Sequence, residues 1–149
     1  MAKVYLGLGT NLGDKEANLN DAISEIEDQV GEVISLSSFY ESEPWGYNSS
    51  NTYLNAAVEV ETDFSPLELL RTTQQIECAM GRQAKTEDGA YEDRIIDIDI
   101  LFYEHQIIHT QRLVVPHPLI AEREFVLTPL RQIAPDFWHP VLKKKISEI

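Results

Sequence analysis

The chain has 149 residues, 43% of them hydrophobic, and a formal net charge of −13. This length suits one compact domain and is too short for two domains of ordinary size, so residues 1–149 are predicted to form a single domain. The negative charge argues against a nucleic-acid partner, because phosphate binding relies on clustered Lys and Arg. The single cysteine excludes an internal disulfide. The N-terminal sequence turns polar after a short apolar run, which indicates neither a signal peptide nor a membrane span and predicts a cytoplasmic protein.

The first part of the chain predicts a strand, a helix and a second strand. Residues 4–9 form an apolar strand pattern, and apolar residues between Leu19 and Val30 then recur at the spacing of one helical face. Gly31 is a suitable residue just after the C-terminal end of that helix. A second strand is predicted at residues 33–40. The turn-rich segment "ESEPWGYNSSNT" that follows predicts a long loop, and such loops are often functional.

The second part of the chain repeats this pattern. From Tyr53 the side chains alternate between apolar and polar, so one face of a third strand is expected in the core. "SPLE" at residues 65–68 has the capping-box pattern and predicts a second helix that ends near Gly81. After a polar loop come a further apolar strand, a hairpin-like stretch at 107–115, and a mostly helical C-terminal part. Prolines are expected to interrupt that last part at Pro116, Pro118, Pro129 and Pro135.

This order of elements predicts an α+β fold. Two strand-helix-strand halves suggest a ferredoxin-like sandwich with a βαββαβ core, in which helices cover one face of an antiparallel sheet. The other face must then be covered by loops and the C-terminal segment, or serve as a site.

An acid pair lies inside the apolar stretch "EDRIIDIDILFY". Residues two apart on a strand share a face, so Asp97 and Asp99 present adjacent carboxylates while Ile96, Ile98 and Ile100 face the core. Two carboxylates repel each other unless a positive charge lies near them, and Mg²⁺ is commonly held by one or two carboxylates plus phosphates. A solvated acid pair on an edge strand is an alternative of equal weight on this pattern alone.

Cationic residues are concentrated around the acid pair. Five of the twelve Lys and Arg residues flank or follow it, which indicates a local anion site suited to phosphoryl transfer; they are Arg82, Lys85, Arg94, Arg112 and Arg123. Any one of these five residues alone is more simply explained as a surface charge. Gln74 and Glu77 share a helix face nearby.

A second subsite is suggested on the polar face of the third strand. Tyr53 offers an aromatic plane and Asn55 an amide that can donate and accept, a pair suited to a flat heteroaromatic ligand. Simple packing over the sheet is at least as good an explanation without further context. The glycine-rich motifs G-x-G-x-x-G and G-x-x-x-x-G-K-[ST] are absent, and the four histidines lack zinc-ligand spacing.

Six collinear motifs resemble one enzyme family. They are "YLGLGTNLGD", "SSFYESEPWGY", "YLNAAVEVET", "QQIECAMGR", "DRIIDIDIL" and "RLVVPHPLIAEREFVLTPL". Together they resemble the 6-hydroxymethyl-7,8-dihydropterin pyrophosphokinases of folate biosynthesis, over nearly the whole chain. The resemblance implies a monomer that transfers the pyrophosphoryl group of ATP to the hydroxymethyl oxygen of the reduced pterin and releases AMP.

The resemblance also implies roles for individual residues. Two Mg²⁺ ions would be bound by Asp97 and Asp99, and Arg82, Arg94 and Asp97 would be catalytic residues; Lys85, in the same loop, is predicted as a fourth. The pterin would be sandwiched by Tyr53 and Phe125 and contacted along its edge by Asn55 and by Ser42, Pro44 and Trp45. The ATP site would be lined by Gln74, Glu77, Ile100, Arg112, His117 and Arg123.

The predicted catalytic loop departs from the family pattern. Family members often carry a second arginine two residues after the Gly-Arg and a Trp-Gly-Pro further on, where this chain has Ala84 and "DGAYED". Lys85 could replace the missing cation and Tyr91 the missing aromatic, and the loop is expected to close over the substrates. Two other functions stay open at this point: a non-catalytic ferredoxin-like ligand-binding module, and an aldolase acting at another pterin step.

Overall fold

The computed structural model describes residues 1–43, 52–81 and 95–149. The helices in these ranges are α1 (Lys15–Gln29), α2 (Pro66–Ala79) and α3 (Glu124–Ile133), with short 3-10 helices at Ile120–Glu122 and Ile146–Glu148. The strands are β1 (Ala2–Thr10), β2 (Gly31–Leu36), β3 (Tyr40–Ser42), β4 (Tyr53–Thr62), β5 (Asp97–Tyr103), β6 (Ile108–His109), β7 (Val114–Val115), β8 (Trp138–His139) and β9 (Lys144–Lys145). None of the helices in the described ranges is long and apolar enough to cross a membrane.

The main sheet is antiparallel throughout. Its strand order is β2-β4-β1-β5, and β3 also pairs with β4. The pairs β6–β7 and β8–β9 form separate two-stranded sheets. The predicted α+β class with an antiparallel sheet is therefore confirmed. The predicted second strand at 33–40 is wrong as one element, because the chain forms β2 and β3 with a break between them.

Local sequence signals explain where the first two helices begin. Asp14 caps α1 by accepting a hydrogen bond from the N–H of Ala17 at 3.1 Å. The predicted capping box of α2 is confirmed, with Ser65 and Glu68 each accepting from the other's backbone N–H. Gly31 follows α1 for a packing reason, because a Cβ there would lie 1.9 Å from the carbonyl oxygen of Glu61.

One face of the sheet packs against α1 and α2. Leu19, Ala22 and Ile26 of α1 are fully buried there against apolar side chains of the sheet. The expected core residues Leu54, Ala56, Val58 and Val60 of β4 and Ile96, Ile98 and Ile100 at β5 belong to this core or pack on it. The predicted in-and-out alternation is thus confirmed for β4 and for residues 96–100 at β5.

The other face is partly covered by the C-terminal segment. Leu127 and Leu130 of α3 are buried there in one apolar cluster with Tyr5 of β1 and Ala57 of β4. A bulge in the pairing of β1 with β5 places the consecutive residues Leu101 and Phe102 in this same core. Helices therefore lie on both faces, and the prediction that they cover one face holds only for α1 and α2.

The C-terminal part is less helical than predicted. Helix α3 continues through Pro129 instead of stopping, although proline cannot donate a backbone hydrogen bond. Burial of Leu127 and Leu130 on either side of it stabilises the helix at this point. After α3 the chain forms the β8–β9 hairpin, which packs Phe137 and His139 against Phe102.

Candidate active site

The uncovered part of the second sheet face is a trough across three strands. The register places Asp97 of β5 on one side of Gly9 of β1, and Asn55 of β4 on the other side. The next row along the sheet contains Asp99, Gly7 and Ala57. Because glycine has no side chain, β1 in the middle leaves a low floor between the acids and Asn55. The floor is about 10 Å wide, which corresponds to two strand spacings.

The acid pair stands on one side of this trough. Asp97 and Asp99 are both half-buried, while Ile98 between them and Ile100 after them are buried in the opposite core. β5 is an edge strand of the described sheet, as the solvated alternative requires. Both carboxylates nevertheless line a cavity, which favours a site over a solvated face.

The tyrosine of the predicted second subsite lies over the floor on the opposite side. A Cβ built on Gly9 would be 3.5 Å from Cδ1 of Tyr53 and 3.3 Å from Oδ1 of Asn55. The aromatic ring therefore covers the glycine in the row that contains Asp97. Gly9 was not among the predicted site residues, and its place in the site follows only from the register of β1.

The amide of Asn55 is already oriented by the protein. Its Nδ2 donates to the carbonyl oxygen of Tyr40 and to Oγ of Ser42, both at 2.9 Å, and the residue is buried. These two bonds use both amide hydrogens, so Oδ1 remains to accept from a ligand. Asn55 was expected both to donate to a ligand and to accept from it. With both amide hydrogens bonded within the protein, it can only accept.

The carboxylate of Glu77 supports the acid strand from α2. Its Oε2 accepts a hydrogen bond of 2.7 Å from the N–H of Ile98, the residue between the two acids. Glu77 is buried, and Gln74 precedes it by one helical turn and also lines the cavity. Glu77 therefore fixes β5 along the edge where the described sheet ends.

His117 enters the cavity from the turn after β7. Its backbone N–H donates to the carbonyl of Leu101 at 3.0 Å, and its ring Nδ1 accepts from the backbone N–H of Leu119 at 3.2 Å. Burial, and next the charge of Arg123, lower the pKa of His117 to about 4, although Asp97 acts in the opposite direction. The ring is therefore neutral near pH 7 and carries its proton on Nε2.

An aromatic and a guanidinium close the cavity beside α3. The Arg123 guanidinium lies over the Phe125 ring, 5.5 Å from its centroid. Phe125 is held near the start of α3, whose apolar side chains are anchored in the second core.

All twelve predicted site residues within the described ranges line one cavity of about 500 Å³, a volume typical of small-molecule sites. They are Ser42, Tyr53, Asn55, Gln74, Glu77, Asp97, Asp99, Ile100, Arg112, His117, Arg123 and Phe125. The lining residues missed in the sequence include Gly7, Gly9, Glu43, Leu70 and Leu113. The pairing of β1 between the two functional strands is the signal that would have found the glycines.

Five predicted site residues lie outside the described residues. They are Pro44 and Trp45 in the predicted pterin loop, and Arg82, Lys85 and Arg94 in the predicted catalytic loop.

The acid pair has a donor set suited to magnesium. Within the described ranges, His, Cys, Asp and Glu form no cluster of three or more that could enclose an ion. Two neighbouring carboxylates open to a cavity instead match a cation that keeps several waters or phosphate oxygens as ligands, as Mg²⁺ does.

Comparison with known proteins decides the family. The sequence model described as 7,8-dihydro-6-hydroxymethylpterin-pyrophosphokinase (HPPK) matches residues 5–135. The chain belongs to this family. It is 43% identical over 141 residues to the 2-amino-4-hydroxy-6-hydroxymethyldihydropteridine pyrophosphokinase of Porphyromonas gingivalis, covering 94% of this chain and 95% of that protein. The enzyme of the same name from Aquifex aeolicus is 38% identical over 99% of this chain and 90% of its own length.

Solved structures agree on the fold of the HPPK family. The Plasmodium falciparum HPPK-DHPS structure with pteroate is similar with a TM-score of 0.79 over 98% of this chain, at 18% sequence identity. An HPPK-DHPS complex with substrates gives a TM-score of 0.78 over 99% of this chain, at 19% identity. This chain spans only 43% and 42% of those two longer chains.

Proposed function

We infer that this protein transfers the pyrophosphoryl group of ATP to the hydroxymethyl group of 6-hydroxymethyl-7,8-dihydropterin, giving the pterin diphosphate and AMP. The family match over residues 5–135 and the names of relatives about 40% identical support pyrophosphokinase activity in folate biosynthesis. The structural observation that carries the proposal is that the acid pair and the Tyr53–Asn55 pair stand on opposite sides of one glycine floor. This brings a phosphate subsite and an aromatic subsite within reach of a single transfer.

The pterin is proposed to bind at the β4 side of the trough. Tyr53 and Phe125 both line the cavity and would stack on the two faces of the ring. Oδ1 of Asn55 would accept an N–H from the edge of the ring, because its Nδ2 is committed to Tyr40 and Ser42. Ser42, Pro44 and Trp45 are proposed to complete this edge contact.

ATP is proposed to bind along β5 and the turn after β7. Gln74, Glu77 and Ile100 would contact the nucleoside part, and Arg112 and Arg123 would bind phosphate oxygens in charge-assisted hydrogen bonds. The neutral His117 would donate its Nε2–H to a phosphate oxygen.

Asp97 and Asp99 are proposed to hold two Mg²⁺ ions. When bound, these ions would neutralise the triphosphate and polarise the phosphorus under attack. The side chains of this chain supply position: the carboxylates would hold the ions at the β5 side of the floor, where the ions would bind the phosphates, and Tyr53 and Asn55 would orient the hydroxymethyl group towards that side. Arg82, Lys85, Arg94 and Asp97 are proposed as the catalytic residues. The three cations would neutralise negative charge during transfer, and Asp97 would act by holding the ions.

We further propose the broader properties expected from the sequence. The strand order β2-β4-β1-β5 supports a ferredoxin-like sandwich, and the shared sheet supports one domain over residues 1–149. A monomer acting in the cytoplasm on small molecules, without nucleic acid, fits the substrates and the net charge of −13.

Product analysis tests the proposal. The protein is mixed with Mg²⁺, ATP and the reduced pterin, and nucleotides are separated with and without the pterin. AMP that forms only with both Mg²⁺ and the pterin is the expected result. Pterin binding without AMP formation would favour the non-catalytic binding module, and the absence of both would contradict the proposed function.

A further inference from the structure

Lys15 occupies a position that local helix preferences do not explain. It is the first residue of α1, directly after the cap Asp14. The start of a helix carries partial positive charge, so acidic side chains are favoured there and a lysine is not. The Lys15 ammonium instead reaches 37 residues along the chain and donates to the carbonyl oxygen of Thr52 at 2.9 Å and to its Oγ1 at 3.2 Å.

Thr52 precedes β4, at the point where the pairing of β4 with β1 has ended. The last pair between β1 and β4 joins Thr10 to Leu54, and beyond it β1 turns away towards α1. The Thr52 carbonyl therefore lies past the end of the β1 ladder. The ammonium of Lys15 supplies a donor for it from the helix that follows β1.

Tyr53, the residue after Thr52, forms the aromatic side of the trough. The Tyr53 ring packs on Gly9, and Tyr53 pairs with Ser42 of β3 on its other side. The described lining of the cavity includes Tyr53 and Asn55 but not Lys15. Lys15 can therefore affect a bound ring through the start of β4, without contacting it.

We propose that Lys15 is a positioning residue for the pterin subsite: it fixes Thr52, and so the backbone that sets the Tyr53 ring over Gly9. This inference rests on the proposed function. The acid pair lies on β5, two strands away from this anchor, so the predicted effect falls on the pterin and not on ATP.

The test compares Lys15→Met with Lys3→Met. Lys3 is also on the described surface, but its ammonium lies 3.9 Å from Glu59, a residue that does not line the cavity. Titration of intrinsic fluorescence with the reduced pterin gives its Kd, and steady-state kinetics give KM for each substrate. We expect Lys15→Met to raise the Kd and KM for the pterin about tenfold, which is the lower end of what one charge-assisted hydrogen bond contributes. The KM for ATP and kcat should stay within about twofold, and Lys3→Met should match wild type in every constant.

Conservative variants separate positioning from general loss of structure. Lys15→Arg keeps donors for both acceptors and should restore pterin affinity to near the wild-type value. Thr52→Val removes only the hydroxyl acceptor, so its effect should be smaller than that of Lys15→Met, and it should add little in the Lys15→Met background.

Several outcomes would overturn the inference. One is an unchanged pterin Kd in Lys15→Met, and another is an equal loss of affinity for pterin and ATP. If Lys15→Met does not fold, Lys15→Arg and Lys15→Ala carry the test, and wild-type pterin affinity in Lys15→Ala, which has no side-chain donor, rejects the anchor. If wild type itself neither binds the pterin nor forms AMP, the proposed function fails, and the positioning role fails with it.

Discussion

Glu77 and Ile98 are joined by a hydrogen bond of 2.7 Å from the strand N–H to the helix carboxylate. The bond lies between the two acids of the site, because Asp97 and Asp99 flank Ile98. It connects α2 to the outer edge of β5. The residue expected from the family resemblance to line the ATP site thus also holds the strand that carries the proposed metal ligands.

We expect Glu77→Ala to destabilise the protein and to slow turnover. The variant leaves the Ile98 N–H buried without its acceptor, which costs about 1–3 kcal/mol. Glu77→Gln keeps an oxygen acceptor and should retain more stability. Urea unfolding of both variants measures the difference, and equal stability of Glu77→Ala and wild type would show that the bond does not hold β5.

Replacing either acid should remove the chemistry while leaving the fold intact. Asp97→Asn and Asp99→Asn keep size and polarity but lose the charge that would bind Mg²⁺, so turnover should fall by at least about 100-fold. Initial rates over a range of Mg²⁺ concentrations test this. Asp136→Asn is a matched control, since its side chain is 86% exposed and outside the cavity. Wild-type rates in both site variants would reject the metal assignment.

Gly9→Ala should weaken pterin binding more than ATP binding. The new Cβ would lie 3.3 Å from Asn55 Oδ1 and 3.5 Å from the Tyr53 ring, so both groups must adjust. We expect a loss of pterin affinity of about tenfold, comparable to a small overpacking penalty. Calorimetric titration with each ligand measures it. In Gly7→Ala the nearest atoms to the Cβ would be those of Leu101, at 3.4 Å, so the loss for pterin should be smaller; the reverse order would contradict this account.

Stability should fall on mild acidification because of His139. Its Nδ1 accepts from the N–H groups of Val141 and Leu142 at 3.2 and 3.0 Å, so protonation of Nδ1 breaks both bonds. Burial lowers the pKa of His139 from its ordinary value of 6.5, and the unfolded chain therefore binds more protons below that value. The contribution of His139 to stability is complete above about pH 6.5 and declines as pH falls.

A non-titrating variant isolates this contribution. His139→Asn keeps a side-chain oxygen that can accept from the same turn, but it has no proton to gain in this pH range. The free energy of unfolding of wild type minus that of His139→Asn should fall between pH 7 and pH 5, measured by urea denaturation at each pH. Subtraction removes the effect of His117, whose pKa is also lowered. A difference independent of pH would reject the role of His139.

Several features could be predicted from the sequence because they depend on neighbouring residues. The capping box at Ser65 and Glu68 is a local hydrogen-bond pattern, and the alternation in β4 and β5 follows from the period of a strand. Asp97 and Asp99 could therefore be placed together, away from the core. The family resemblance added residues that are distant in sequence, such as Phe125 and His117, and both line the cavity.

Other features were decided by contacts between distant segments. Which glycine lies between Asp97 and Asn55 depends on the register of β1 with two strands at once, and no local pattern carries that information. Packing of Leu127 and Leu130 decided that α3 continues through Pro129, because burial outweighs the local preference of proline.

Residue patterns along the chain were enough to establish the main helices and strands, the two-sided character of β5 and the presence of an acid pair and an aromatic residue on separate strands. Folding in three dimensions was needed to establish that both amide hydrogens of Asn55 are already bonded, that Glu77 holds the acid strand, and that Lys15 contacts Thr52 just before β4. The physical reason is the distance along the chain between the groups that interact. Capping and strand alternation act over a few residues, whereas these hydrogen bonds join groups 13 to 37 residues apart and exist only once the chain has folded.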